Sequence, residues 1–196
     1  MSIEIVERND SISINNPVLV VDGAIDYESF SKLSLALTAA PYKAWRINDQ
    51  KLHKLAGDVP CDYLQFELDV EDFKEHSLYP TFKKIAQEIC SCEDVWLERG
   101  FCNAFQYGDA TFTHRDERKS GKGISMLCFL NTEWDSNWGG ELLFFDEEYE
   151  AKITVSPKPG RVVAFMNDTL HRPGLPLRTC PEMRVTLNLR FCWNEA

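Results

Sequence analysis

The sequence predicts a mainly β domain, a double-sheet jelly roll whose N-terminal helices pack on one sheet. Three observations carry this expectation. From Glu93 onward, short β-rich segments recur at regular spacing, over about 94–107, 110–115, 123–131, 140–146, 151–156, 161–167 and 183–192. Glycine and proline turn signals such as SGKG, WGG and SPKPG separate them. Helical periodicity is confined to the residues before Glu93.

No internal repeat, low-complexity run or linker divides the 196 residues, a length that suits one domain with a full core. Residues 1–196 therefore read as a single domain, with about 1–92 as a support region and about 93–193 as the β core. Within the support region, PVLVVD at 17–22 has the composition of a strand. From Asp26 onward Phe30, Leu33, Leu37 and Ala40 fall on one helical face, and Pro41 closes the pattern. Leu64, Phe66 and Leu68 alternate with Gln65, Glu67 and Asp69, which predicts a half-buried strand. A second helix starts near Pro80, with Phe82, Ile85, Ala86 and Ile89 as its buried stripe.

Composition narrows the class of function. No stretch approaches the apolar length that a membrane-spanning helix needs. The start, MSIEIVERND, is charged too early and apolar too briefly for a secretory signal. The cysteines number seven, an odd count without a CxxC pair, which predicts reduced thiols and a cytoplasmic location. Cys90 and Cys92, at the end of a helical stretch with no second pair nearby, read as incidental thiols and not as metal ligands. A net charge of −10 opposes association with nucleic acid or an anionic membrane.

The segment ATFTHRDERK, residues 110–119, carries the first chemical signal. On an extended strand residues i and i+2 share a face about 7 Å apart, so His114 and Asp116 project together while Arg115 turns away. A third ligand must come from elsewhere, and His171 is the best candidate: it follows the strand RVVAFMN and begins a short proline-rich turn, HRPGLP. Two histidines and one carboxylate form the facial set that binds Fe(II) with three positions open. His53 and His76 sit in polar segments and read as ordinary surface histidines. An isolated HxD pair is common and carries little; the chain beyond His171 gives this one weight. In CPEMRVTLNLRFCW, Arg184 and Thr186 share a strand face, and a guanidinium fork beside a hydroxyl suits the far carboxylate of a dicarboxylic acid. Asn188 and Arg190 continue that face, where they could meet substrate or close the pocket.

The ordered set of HxD, WGGELLFFD, GRVVAFMNDTLH and RVTLNLRF resembles the Fe(II)/2-oxoglutarate-dependent dioxygenases, particularly the prolyl-4-hydroxylase-like branch, over roughly residues 93–193. The resemblance implies a double-stranded β-helix core. It implies that His114, Asp116 and His171 bind Fe(II), and that Arg184 with Thr186 binds the C5 carboxylate of 2-oxoglutarate. The C1 carboxylate and keto oxygen would take two metal positions and leave the last for O2, with ascorbate as an accessory reductant. The activity it implies is hydroxylation of an unactivated C–H bond in a prolyl residue, an amino acid or another small metabolite, with release of succinate and CO2. Related halogenases carry a small residue in place of the carboxylate, so Asp116 predicts hydroxylation.

The sequence also departs from that pattern. An Asn-x-Tyr-x-x-Gly run precedes HxD in many relatives, and here it reads Asn103-Ala-Phe105-Gln-Tyr107-Gly108. Tyr107, two residues on and on the same side, is expected to replace the missing phenol in cosubstrate binding. Arg178 rivals Arg184 for the carboxylate, but a strand holds a side chain more rigidly than a loop does. Two other readings stay open. The spacing of Arg184 and Arg190 resembles the paired arginines of alkylated-nucleic-acid demethylases, which the acidic balance disfavours. A metal-binding β-sandwich without turnover is the second. The expected partner is a small-molecule or peptidyl substrate, with no nucleic acid and no membrane. Residues 43–62 around Trp45 and Arg46, the loop 117–123, and the pair Trp134 and Trp138 are the segments placed to contact it.

Overall fold

The computed structural model describes residues 4–7, 17–46, 62–116 and 122–194. Two antiparallel sheets face each other. The larger is built from β1 Glu4–Glu7, β2 Val18–Asp22, β3 Lys43–Arg46, β4 Asp62–Glu67, β5 Trp96–Phe105, β6 Gly123–Phe129, β9 Val162–Met166 and β11 Arg184–Cys192. Its spatial order is β1-β2-β9-β6-β11-β5-β4-β3. The smaller is built from β7 Leu142–Phe145, β8 Ala151–Val155 and β10 His171–Pro173, in the order β10-β7-β8. Every pairing between these strands is antiparallel. This is the mainly β two-sheet architecture that the spacing of the strand segments predicts.

Alternation along the central strands splits their side chains between two cores. Cys102, Ala104, Met126, Cys128, Val162, Ala164, Val185, Leu187, Leu189 and Phe191 point outward and meet the helices. Leu127, Phe129, Val163 and Phe165 point inward and meet Leu142, Phe144 and Val155 of the smaller sheet.

Helix α1, Tyr27–Thr38, starts where the Asp26 carboxylate accepts from the Ser29 amide, and it buries Phe30 and Leu33. The short α2, Val70–Lys74, is capped in the same way by Asp69 and buries Phe73. Helix α3, Tyr79–Cys90, carries Pro80 in its first turn and ends on Ser91 in the left-handed conformation. It buries Phe82, Ile85 and Ala86 against β6 and β9, as its stripe predicts. Each of the larger side chains contributes roughly 1.5–3 kcal/mol by leaving water.

One irregularity matters for what lies between the sheets. The β11–β5 register shifts between Arg190 and Phe191, so that Arg190 faces Arg99 while Phe191 faces Leu97, and Glu98 is the extra residue of a bulge. On the site side of this bulge Arg99, Phe101, Asn103 and Phe105 point inward; beyond it Leu97 joins the helix-side core. Among the described cysteines, Cys102, Cys128 and Cys192 are buried and Cys90, Cys92 and Cys180 half-buried.

Candidate active site

His114, Asp116 and His171 each bring one donor atom to within 4.8 Å of the others. His114 does so without lying on a strand, so the strand expected over 110–115 is replaced by an irregular segment. Among the described residues its pairing partner is β10, three residues long, and the pairing shrinks to a single bridge. Within that bridge the His114 amide donates to the His171 carbonyl at 2.9 Å, and the His171 amide donates back at 3.0 Å. The Asp116 amide donates to the Asn167 carbonyl at 2.8 Å. The turn expected at HRPGLP is, in its first three residues, a strand paired with β7. Proline is tolerated at its end, where its missing N–H costs nothing.

Arg115 turns away from the other two, but it is more than a spacer. Its Nη2 donates to both Glu147 oxygens at 2.9 and 2.7 Å, and its Nη1 donates to the Asp168 carbonyl. The guanidinium thereby ties the ligand-bearing segment to the β7–β8 and β9–β10 turns.

The histidine orientation comes from the same backbone. His114 Nδ1 lies 2.8 Å from the Phe112 carbonyl and His171 Nδ1 lies 3.0 Å from the Thr169 carbonyl. A carbonyl only accepts, so each Nδ1 carries the proton and each Nε2 offers its lone pair. The two Nε2 atoms sit 3.6 and 3.8 Å from the two oxygens of Asp116. Ser125 Oγ donates to Asp116 Oδ2 at 2.5 Å and Arg190 Nη2 donates to Oδ1. Burial disfavours the Asp116 charge, yet the His114 contact and the charges of His171 and Arg190 outweigh it and hold the carboxyl well below the usual range. Burial keeps His171 neutral down to about 4. For His114 burial works in the same direction, but the hydrogen bond and charge of Asp116 win and raise its pKa. The set thus offers one anionic oxygen donor and two imidazole nitrogens, which suits a divalent first-row metal.

The Arg184 side chain is fully buried. Its Nε donates to the Gly140 carbonyl at 2.6 Å, while Nη1 and Nη2 have no hydrogen-bond partner among the described residues. The guanidinium lies 4.9 Å from the Phe129 ring centroid and 6.0 Å from that of Phe105. Burial draws its pKa down to about 9. A buried cation with two unpaired nitrogen donors is costly, and a bidentate carboxylate would satisfy it. Gly140 explains the WGG turn signal: at φ +78°, a side chain there would come within 3.0 Å of Arg184 Cδ and 2.9 Å of the Trp134 ring. Trp134 packs edge-on against Trp138 at 5.5 Å and donates to the Gly139 carbonyl. These two tryptophans, expected at the substrate, support the glycine turn instead, and neither lines the cavity.

A cavity of about 440 Å³ lies beside the three ligands, walled among others by Tyr63, Arg99, Phe105, Asn188 and Arg190. Arg184 and Thr186 lie behind this wall, with Asn188 Nδ2 donating to Thr186 Oγ1 at 3.2 Å. Tyr107 does not reach it. β5 ends at Phe105, and Tyr107 lies in the turn beyond with 63% of its surface exposed. A tyrosine does stand next to Phe105, but it is Tyr63 on β4, its ring 4.9 Å away. Period-2 alternation places Tyr63, Gln65 and Glu67 on one face, and the first two line the cavity, so the strand expected to be half-buried is covered on both faces. Arg178 is exposed, which leaves Arg184 as the buried cation. Trp45 lines the cavity from β3. His76, expected in an exposed polar segment, is half-buried, stacked on Phe73 and accepting from the Leu78 amide. Residues 47–61 and 117–121, which include His53 and Cys61, and the side chain of Arg46 lie outside the described residues.

Residues 102–191 match the family described as the 2OG-Fe(II) oxygenase superfamily. No curated protein matches the chain in sequence. Solved structures do match in fold. An oxidoreductase of the 2OG-Fe(II) oxygenase family from Burkholderia pseudomallei aligns with a TM-score of 0.66 at 12% identity, over 91% of this chain and 87% of that one. The epimerase SnoN from nogalamycin biosynthesis, in complex with Fe3+ and alpha ketoglutarate, aligns at 0.65 and 14%, over 89% and 78%. A viral collagen prolyl hydroxylase from Paramecium Bursaria Chlorella virus-1 aligns at 0.58 and 15%, over 90% of both chains.

Proposed function

We propose that this chain, which belongs to the 2OG-Fe(II) oxygenase superfamily, hydroxylates an unactivated C–H bond of a prolyl residue, an amino acid or another small metabolite. Fe(II) and 2-oxoglutarate are its cofactors. When bound they supply the oxidising power, one atom of O2 entering the substrate as hydroxyl and the other entering succinate as CO2 leaves.

The chain's own residues set up that chemistry. His114, Asp116 and His171 would hold the metal, with Ser125 and Arg190 fixing the carboxylate and two backbone carbonyls fixing the imidazoles. Arg184, supported by Thr186, would receive the C5 carboxylate. The apolar walls Phe105, Leu142 and Phe165 exclude water from the space between. The observation that carries the reading is the buried Arg184 fork, whose Nη1 and Nη2 make no hydrogen bond among the described residues, on the same strand as an arginine that braces the Asp116 carboxylate. Asp116 supports hydroxylation over halogenation, because its carboxylate takes the position a halide would need.

Anaerobic addition of Fe(II) and 2-oxoglutarate should give a visible charge-transfer band that His114→Ala abolishes. A mass-spectrometric screen in air should then find a substrate that gains one oxygen atom as succinate accumulates. No band and no succinate would overturn the proposal.

A further inference from the structure

We propose that Arg99, with Arg190 opposite it, holds an anionic group of the primary substrate, so that the enzyme acts on a small acidic molecule bearing a carboxylate or a phosphate. The proposal rests on the hydroxylase function and narrows its substrate class. Arg99 and Arg190 are direct cross-strand partners on β5 and β11. Their guanidinium carbons lie 4.4 and 5.6 Å from the same Phe101 ring centroid, so they share a face, and both line the cavity. Like charges directly opposite one another in a sheet destabilise it unless something negative offsets them.

Among the described residues each arginine has one carboxylate. Arg99 pairs with Glu67, which lies outside the cavity wall, and Arg190 pairs with Asp116. The second pairing is compromised by function, because a metal held by Asp116 draws on the same negative charge. With metal and cosubstrate bound, three arginines and a divalent ion stand against Asp116 and two carboxylates of 2-oxoglutarate. Glu67 and Glu141 offset that charge only from outside the cavity wall, so within the cavity positive charge remains in surplus, and a substrate anion cancels it. The flanking surfaces are those of a small planar or aliphatic acid: Trp45 lies 6.0 Å from the Arg99 guanidinium, and Tyr63 and Gln65 complete the wall. Arginine offers a flat fork that both carboxylate and phosphate fit.

The test titrates phenylacetate, phenyl phosphate and the neutral phenylacetamide into anaerobic protein saturated with Fe(II) and 2-oxoglutarate, by calorimetry. At least one anion should bind, and the amide should bind at least tenfold more weakly; the tighter anion assigns carboxylate or phosphate. Arg99→Met should weaken the anion at least tenfold, Arg99→Lys less, and Lys152→Met not at all. Glu67→Gln, which frees Arg99 from its present partner, should tighten the anion several-fold. Unfolding midpoints of the variants separate lost binding from lost fold. Equal binding of amide and anions, no binding of either anion, or indifference to both Arg99→Met and Glu67→Gln overturns the proposal. If 2-oxoglutarate itself gives no stabilisation, the functional reading fails and not this one alone.

Discussion

Replacing Arg184 by methionine should abolish cosubstrate binding while leaving the empty protein as stable as before, or more so. The two halves of this expectation come from one observation, the pair of buried nitrogen donors with no hydrogen-bond partner among the described residues. A hydrogen bond to a charged group is worth about 1.5–3 kcal/mol, so losing a bidentate carboxylate costs about 3–6 kcal/mol. At tenfold per 1.4 kcal/mol, affinity for 2-oxoglutarate falls by about two to four orders of magnitude. In the empty protein the balance reverses. Each unsatisfied buried donor costs about 1–3 kcal/mol, and methionine removes both at the expense of one bond from Nε to Gly140. The assay is thermal unfolding under argon, with Fe(II) present and 2-oxoglutarate varied. Ligand at a hundredfold over Kd stabilises by about 2.7 kcal/mol. For a chain of this length that is a shift of roughly 5–10 °C. The parent should show it and Arg184→Met should not. A variant that still shifts like the parent, or whose empty form loses more than about 3 kcal/mol, would refute the reasoning.

The site makes three further outcomes measurable. Gly140→Ala forces a side chain into left-handed backbone and against Arg184, so it should destabilise by about 1–3 kcal/mol and weaken 2-oxoglutarate while Fe(II) affinity holds, measured by metal titration beside the thermal shift. Ser125→Ala removes the hydroxyl from Asp116 Oδ2 and should weaken Fe(II) binding by about 10–100-fold with little change in the unfolding midpoint. Without metal, stability should decline as pH falls from about 6.5 to about 4. In that window the unfolded chain protonates residue 171 while the folded one, with its pKa at about 4, does not. The loss approaches about 3 kcal/mol, and His171→Gln should flatten it in urea melts run across the window.

Much of this was legible because alternation writes burial directly into the chain. β5, β6, β9 and β11 each place small or aliphatic residues toward the helices and a mixed row toward the cavity, and their segments stand out for that reason. The ligand triad was legible through residue type and order. The path that brings it together was not: 110–116 has strand composition, but its partner strand is three residues long, and pairing needs an edge to pair with. Tyr63 stayed hidden because a polar row on an alternating strand reads the same whether water or a cavity covers it. Tyr107 misled because i, i+2 spacing holds only while the strand lasts, and β5 stops at Phe105. The bracing role of Arg115 depends on Glu147 and Asp168, more than thirty residues away, which no local pattern reports.

The bulge at Glu98 has a consequence for size. Between it and the far end of β5, each of the two central strands offers four inward places, Arg99 to Phe105 on one and Arg184 to Arg190 on the other. Past the bulge the pleat is out of step, and Leu97 belongs to the helix side. Where that extra residue is accommodated therefore decides which face Leu97 takes. Deleting Glu98 would straighten the ladder and leave Leu97 opposite Phe191 on the helix side, whereas carrying the bulge two residues toward the N-terminus would turn Leu97 inward as one more rung. In this fold the last inward rung is set by where one extra residue sits in the pleat.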